Sequence, residues 1–417
     1  MTLNSYLPQD RQRALACGEI LPDRALGSAL FADISGFTPL TEALRETLGA
    51  RRGVEELSKH LGSVYNALIA QIEKFGGSVI GFAGDAITCW FDDTHGPAAP
   101  RAMGSGIALQ AAMLSFTAIT LPNGSTTALT LKVTIASGPA RRFVVGDPTI
   151  NYLDTLAGAT VARLAMAEHL AKPGEIIIDQ ETMSILQLPA SESRSAETGE
   201  CFFVIDPAAT PIEQYSIQGD PAAGRLPVQL DANLLKQWIL PTVVERESTG
   251  HALFLTELRP TTALFVRFMG IDYDNDVEAR EKLDRLISQT QRVLERHGGI
   301  LLELTIGDKG SYFYGSFGAS HVHEDDARRA VRASLELRQF FEDFAFLDSI
   351  QFGLSSGTMR VGAYGGKTRQ SFGALGDDVN LAARLMTIAA QGEILISGRV
   401  RKTVAEEFMV EARPPWQ

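Results

Sequence analysis

Two aspartates at the ends of short apolar runs carry the strongest chemical signal in the chain. Asp33 lies in Phe31-Ala32-Asp33-Ile34-Ser35-Gly36-Phe37-Thr38-Pro39-Leu40-Thr41-Glu42, after the small and apolar residues Gly27 to Leu30, and reads as a carboxylate closing a buried strand. Ser35-Gly36 turns the chain, and Pro39 is expected to open an amphipathic helix, since proline at the first helical position loses no needed N–H. A carboxylate facing free amides at a helix start suits a metal ion carrying a polyphosphate, with Ser35, Gly36, Phe37 and Thr38 beside the phosphates. Further on, apolar runs Ser78-Val79-Ile80-Gly81-Phe82-Ala83 and Ala86-Ile87-Thr88-Cys89-Trp90-Phe91 flank Gly84-Asp85, which predicts a β-hairpin with Asp85 at its tip. Two carboxylates at adjacent strand ends make a candidate two-metal site for Mg2+ or Mn2+.

The scaffold around these residues must be large. A chain of 417 residues holds two or three domains, each able to bury its own core. Its 45% hydrophobic and 21% charged content is that of a globular protein in water. A formal net charge of −12 sets aside nucleic acid or an anionic membrane surface as main partner, while leaving room for a nucleotide held by local cations. Cys17, Cys89 and Cys201 show neither pairing nor metal spacing, which fits a reducing cytosol. There is no apolar run of about eighteen residues, and the start Met1-Thr2-Leu3-Asn4-Ser5 is no signal peptide, so a cytoplasmic location without a transmembrane segment is expected.

Four segments follow from the punctuation. Residues 1–25 form a polar arm expected to lie across the first domain, and 26–218 make that domain. Residues 219–250 read as a connector, partly helical between Ala232 and Ile239, and 251–417 make the second domain. An internal repeat organises the whole. Gly76-Gly77 returns as Gly298-Gly299, Ser137-Gly138 as Ser356-Gly357, Ala162-Arg163-Leu164 as Ala383-Arg384-Leu385 and Gly174-Glu175-Ile176 as Gly392-Glu393-Ile394, each roughly 220 residues on. Strands, helices and hairpins in this order predict an α+β layer in each copy, a sheet with helices on one face.

The paired motif, FADISGFTPLTE with GFAGDA some fifty residues later, resembles the metal-binding half of the class III nucleotidyl cyclases. More narrowly, residues 5 to 410 resemble the tandem catalytic portion of soluble, bicarbonate-responsive-type adenylyl cyclases. The resemblance implies a ferredoxin-like core in each half, the two packed head to tail as an intramolecular pseudo-dimer within one monomer. It implies conversion of a nucleoside triphosphate, ATP in preference, to a 3′,5′-cyclic nucleotide with two divalent ions, the carbonyl of Ile34 joining Asp33 and Asp85. Asn380 would orient the ribose and Arg384 offset charge at the reacting phosphate, being four residues apart on one helix face. Lys132 falls where the family has a cation for the outer phosphates. Lys309 would contact the purine ring, beside Gly373 and Ala374, although the family has a threonine or aspartate where Gly373 stands. Gly81 departs from the lysine of the bicarbonate-responsive enzymes, while Arg163 is left to meet an anion in the second cleft.

The copies differ in a complementary way. Arg267 occupies the place of Asp33, and an arginine repels rather than ligates Mg2+. Asp308 is followed by an extra Lys309-Gly310 and is not expected to be a ligand. Conversely, Ala159 stands where the second copy has Asn380. One working cleft shared between the halves is the economical reading. The ordinary alternatives are a helix-cap aspartate at Asp33, solvated helix residues at Asn380 and Arg384, and a surface lysine at Lys132. His321-Val322-His323-Glu324-Asp325-Asp326 reads as a helix start rather than a metal site. Three functions stay open: an ATP cyclase, a cyclase of another base, and an inert nucleotide- or small-ligand-sensing module of a larger signalling protein with regulatory domains downstream.

Overall fold

In a computed structural model, residues 3–121, 123–215, 230–248, 256–307 and 310–413 are described. The first half starts with α1 (Gln9–Cys17), β1 (Arg24–Ser35), α2 (Phe37–Lys74), β2 (Ser78–Ala83), β3 (Ala86–Asp92) and α3 (Ala98–Met113). It continues through the short pair β4 (Ile119–Thr120) and β5 (Thr126–Thr127), then β6 (Thr130–Val145), β7 (Leu153–Ala157) and α4 (Ala159–Leu170). It ends with β8 (Ile176–Asp179), α5 (Gln180–Leu186), β9 (Glu192–Ser195) and β10 (Cys201–Ile205). The connector holds α6 (Ala232–Lys236), capped by the Asp231 carboxylate on the Asn233 amide, and α7 (Pro241–Ser248). The second half comprises β11 (Glu257–Met269), α8 (Ala279–Arg296), β12 (Gly299–Gly307), β13 (Gly310–Phe317) and α9 (Asp326–Glu342). After these come β14 (Ser349–Gly365), β15 (Gln370–Leu375), α10 (Asp377–Ile388), β16 (Ile394–Ile396) and α11 (Gly398–Val404).

Each half is built on one sheet. The first runs β2-β3-β1-β6-β8-β10-β9 with β7 beside β6, and the second β12-β13-β11-β14-β15 with β16 beside β14. Neighbours are antiparallel except the pairs β6–β8 and β14–β16, which the intervening helices make parallel. Alternation along β1 sends Leu30, Ala32 and Ile34 into the core beneath α2 and α3. Its opposite face carries Ala29, and Phe31 beside it, against Val161 and Leu164 of α4. The expectation of helices on one face is therefore corrected: α4 covers the second face, because Ala29 and Phe31 are apolar there too.

The opening of α2 is also corrected. The helix begins at Phe37, not Pro39, with Gly36 as its cap at φ +105°. Pro39 lies within the first turn, where its missing N–H costs nothing. The helix bends at Gly49, whose φ of 79° and ψ of 170° are not helical. A Cβ on Gly36 would stand 2.5 Å from the Ala128 carbonyl oxygen, so neither its dihedral nor its space admits a larger residue.

The halves exchange β-arms. The β6–β7 arm reaches α8, where Gln291 accepts the Asp147 amide at 2.7 Å and donates to the Asn151 carbonyl at 2.8 Å. The β14–β15 arm reaches α2, where Asn66 accepts the Lys367 amide at 2.7 Å and Arg360 donates to Ser58 at 2.9 Å. The N-terminal segment does not merely cross the first domain. Leu7 packs in a core with Leu235, Phe265 and Phe372, and the Tyr6 carbonyl accepts from Arg369 of the second arm. Asp10 accepts from Ser78 and Arg142, and Arg142 is paired also with Asp154, itself bonded to Arg11 at 2.9 Å.

These charges are buried and mutually satisfied, so removing one leaves another stranded. Asp10→Ala is expected to lower unfolding free energy by about 3 kcal/mol in urea titration. Burial alone would raise the Asp10 carboxyl, but the charge and hydrogen bonds of Arg142, with those of Ser78 and the Arg11 amide, hold it at about 2 against an ordinary 3.8. A depressed carboxylate contributes stability above its unfolded pKa and loses it as pH falls through the folded one. Wild type should therefore lose stability between pH 4 and 2 more steeply than Asp10→Asn. Gly36→Ala should cost about 1–3 kcal/mol in the same titration through backbone strain.

Candidate functional site

Asp33 is on the last stretch of β1, paired in register with Ala86 of β3 and Lys132 of β6. Asp85 occupies the two-residue turn directly before Ala86, so sheet pairing alone sets the carboxylates side by side. Ile34 points into the core, which leaves its carbonyl as the group it can offer. Ser35 ends β1, and Gly36, Phe37 and Thr38 carry the free backbone amides at the start of α2, where the helix dipole favours an anion. Lys132 lies 3.5 Å from an Asp33 oxygen and 3.3 Å from Glu168 of α4.

Electrostatics at the pair call for a cation. Burial, then the neighbouring Asp33 charge, pushes the Asp85 carboxyl up to about 6. Asp33 is raised as well, by burial first, with Lys132 opposing and Glu168 adding to the shift. A divalent ion would remove this repulsion, and oxygen donors are those Mg2+ and Mn2+ prefer. Among the described residues no group of three or more His, Cys, Asp or Glu side chains could hold a metal. An ion here would thus rely on the two aspartates, the Ile34 carbonyl, and water or phosphate oxygens, as Mg2+ commonly does.

The other expected contacts lie on the second half. Asn380 and Arg384 stand on one face of α10 and are exposed, and no described ion pair joins Arg384 to an acid. Gly373 is buried in β15 opposite Gly362, against the Tyr364 ring, and the Ala374 carbonyl accepts the Tyr314 hydroxyl at 3.1 Å. Lys309 and Asp308 lie outside the described residues. Their flanks show why the second hairpin differs: Arg267 pairs with Tyr312, two rungs short of the Gly307–Gly310 pair, whereas Asp33 pairs with the first residue after its turn.

Two groups expected at the second cleft already have protein partners. Asp274 accepts the Ala159 amide at 2.9 Å, closing the start of α4. Arg163 is bonded to Asp179 at 2.8 Å and to the Ser137 carbonyl at 2.7 Å, so its guanidinium is engaged within its own domain rather than open to an anion. His323 and Asp326 cap the start of α9 through the His323 amide, as the helix-start reading has it.

Sequence reasoning missed Glu168, whose pairing with Lys132 is tertiary and leaves no local signal. It also missed Glu303, which stands at the register position of Gly81, one rung past a bulge in each hairpin. Glu303 lines a cavity of about 220 Å3 between the halves, together with Phe31, Thr88, Glu168, Thr305 and Tyr312. Its carboxyl accepts the Thr305 hydroxyl at 2.7 Å, and burial pushes it up to about 7.

Comparison with known proteins agrees with this architecture. The model of the adenylate and guanylate cyclase catalytic domain matches residues 27–219 and 265–417. Adenylate cyclase type 10 of Homo sapiens is 23% identical over 416 residues, covering 88% of this chain. The Rattus norvegicus protein of that name is 23% identical over 428 residues, again 88% of the chain. The chain spans 24% of the length of either relative. Among solved structures, a class III adenylyl cyclase-like ATP-binding protein from Pseudomonas aeruginosa aligns over 91% of this chain and 85% of its own, with a TM-score of 0.62 at 14% identity, a likeness of fold. No helix among the described residues is long and apolar enough to cross a membrane. Two matched segments, one in each half, cover most of the sequence, and the chain belongs to the adenylate and guanylate cyclase catalytic domain family.

Proposed function

We propose that this chain is an adenylate cyclase, turning ATP into 3′,5′-cyclic AMP and pyrophosphate at one site between its halves. The observation that carries the reading is the Asp33–Asp85 pair beside the amide-bearing start of α2, with the second half lacking its equivalent at Arg267. In the reaction the ribose 3′-oxygen attacks the α-phosphorus in line and the bond to the bridging oxygen breaks. Two divalent ions at Asp33, Asp85 and the Ile34 carbonyl would supply a lowered 3′-hydroxyl pKa and charge neutralisation on the phosphates. Backbone amides from Ser35 to Thr38 take the phosphate oxygens. Lys132, now shared by Asp33 and Glu168, turns to the outer phosphates and offsets charge as pyrophosphate leaves. Asn380 holds the ribose in line, and Arg384 meets charge developing at the α-phosphate. Lys309 contacts the adenine, with Gly373 and Ala374 forming the wall beside it. The cytosol is the expected setting, and one chain suffices for the site.

A second reading changes the base. Glu303 presents a carboxyl to the cavity between the halves, and in its ionised form it accepts hydrogen bonds only, which matches the N–H edge of guanine better than adenine's mixed edge.

Product formation from ATP, GTP, CTP and UTP, with Mg2+ and with Mn2+, tests both readings. Cyclic AMP is expected, absent in Asp85→Ala. Arg384→Ala and Asn380→Ala should each lower kcat on the order of a hundredfold, the scale of losing one transition-state donor. Cyclic GMP made by wild type and lost in Glu303→Ala would favour the second base instead. Binding of triphosphate with no cyclic product under either metal would sink both and leave a ligand-sensing module.

A further inference from the structure

The turn carrying Asp85 is held from a distance. Tyr65, on α2 beyond the Gly49 bend, donates its hydroxyl to the Gly84 carbonyl at 3.2 Å. Gly84 has φ +64° and is the residue immediately before Asp85, so this hydrogen bond fixes one of the two peptides from which the carboxylate hangs. The Tyr65 ring is 1% exposed and meets Phe82 of β2 edge-on, with ring centres 5.5 Å apart. Phe82 in turn meets Tyr364 of the second half at 5.6 Å. A chain of three packed rings therefore runs from the β14–β15 arm to the Asp85 turn.

The same arm grips α2 a second time. Arg360 and Tyr364 are four apart on one face of β14, and Ser58 and Tyr65 are seven apart, two turns along one face of α2. Arg360 donates Nε to Ser58, is 8% exposed, and among the described residues has no carboxylate in an ion pair. Burying an unpaired guanidinium is costly, and such a group is kept where its geometry has a use. Here the use is registry between β14 and α2, which brings Tyr364 over Phe82.

We infer that Tyr65 is a positioning residue for the metal-binding pair, and that the second half's arm sets the Asp85 carboxylate through Tyr364, Phe82 and Tyr65, with Arg360 fixing the register. The inference rests on the metal-dependent cyclase reading. It makes the two halves interdependent: the first supplies the carboxylates, and the second decides where one of them points.

The test is Mn2+ binding by electron paramagnetic resonance in the presence of 3′-deoxy-ATP, which lacks the attacking hydroxyl. Wild type, Asp85→Ala, Tyr65→Phe and Arg360→Lys are compared, with melting temperature recorded for each. Tyr65→Phe, which removes one oxygen and keeps the ring, should weaken Mn2+ binding roughly three- to tenfold, the worth of one buried hydrogen bond. Its KM for ATP at saturating metal should match wild type, and its melting temperature should fall by no more than the loss of one hydrogen bond explains. Arg360→Lys should weaken Mn2+ binding in the same direction. If wild type and Asp85→Ala bind Mn2+ alike, the carboxylate reading itself fails and the inference falls with it. If Asp85→Ala loses the ion while Tyr65→Phe and Arg360→Lys bind as wild type does, the inference is overturned and the cyclase reading stands. A lowered melting temperature in Tyr65→Phe with unchanged Mn2+ binding would also overturn it, leaving Tyr65 a structural residue.

Discussion

The exchange of β-arms between the halves is the constraint on which the molecule depends. A hairpin such as β14–β15 cannot bury both faces on its own sheet, because β14 beyond Val361 runs past its pairing with β11 and carries β15 with it. Docking on α2 of the other half completes it, and β6–β7 does the same on α8. This reciprocity joins two halves that each have a core into one body with a continuous seam.

Within the seam the two ends have diverged in charge. One end gathers Asp33 and Asp85, where burial raises both carboxyls, Asp33 adding to the shift of Asp85 and Glu168 to that of Asp33, and leaves a demand for positive charge that Lys132 meets in part. At the other, Arg267 replaces the aspartate, and Asp274 covers the helix start that would have met a ligand. Duplication followed by loss on alternate sides explains the pattern economically: each half keeps the part that the other lacks.

The N-terminal segment shows how costly charges are made safe. Asp10, Arg11, Arg142 and Asp154 are nearly out of contact with water, and each carboxylate has more than one donor. Such a network gains little net energy, since desolvation offsets much of the attraction, but it strongly disfavours any arrangement that separates its members. Because the members come from the first helix, the first arm and β7, with Arg369 of the second arm beside them, the network favours one relative placement of the halves.

The amino-acid sequence by itself determined the elements and the inequality of the copies. The small and apolar run before Asp33, the Gly84-Asp85 turn and the roughly 220-residue repeat are local or periodic features, and they carry the fold class and the candidate metal end without reference to contacts. The first residue of α2 was misread because proline is admitted anywhere in a first turn, so it marks a helix start only to within a residue or two. What only the tertiary structure decided is pairing between elements distant in the sequence. Glu168 meets Lys132, Glu303 faces the cavity, Arg163 is engaged by Asp179, and Tyr65 reaches Gly84, because each depends on side chains from segments brought together by packing. Local propensity and period can place a residue on a face of its own element; they hold no information on which residue of another element will stand opposite it.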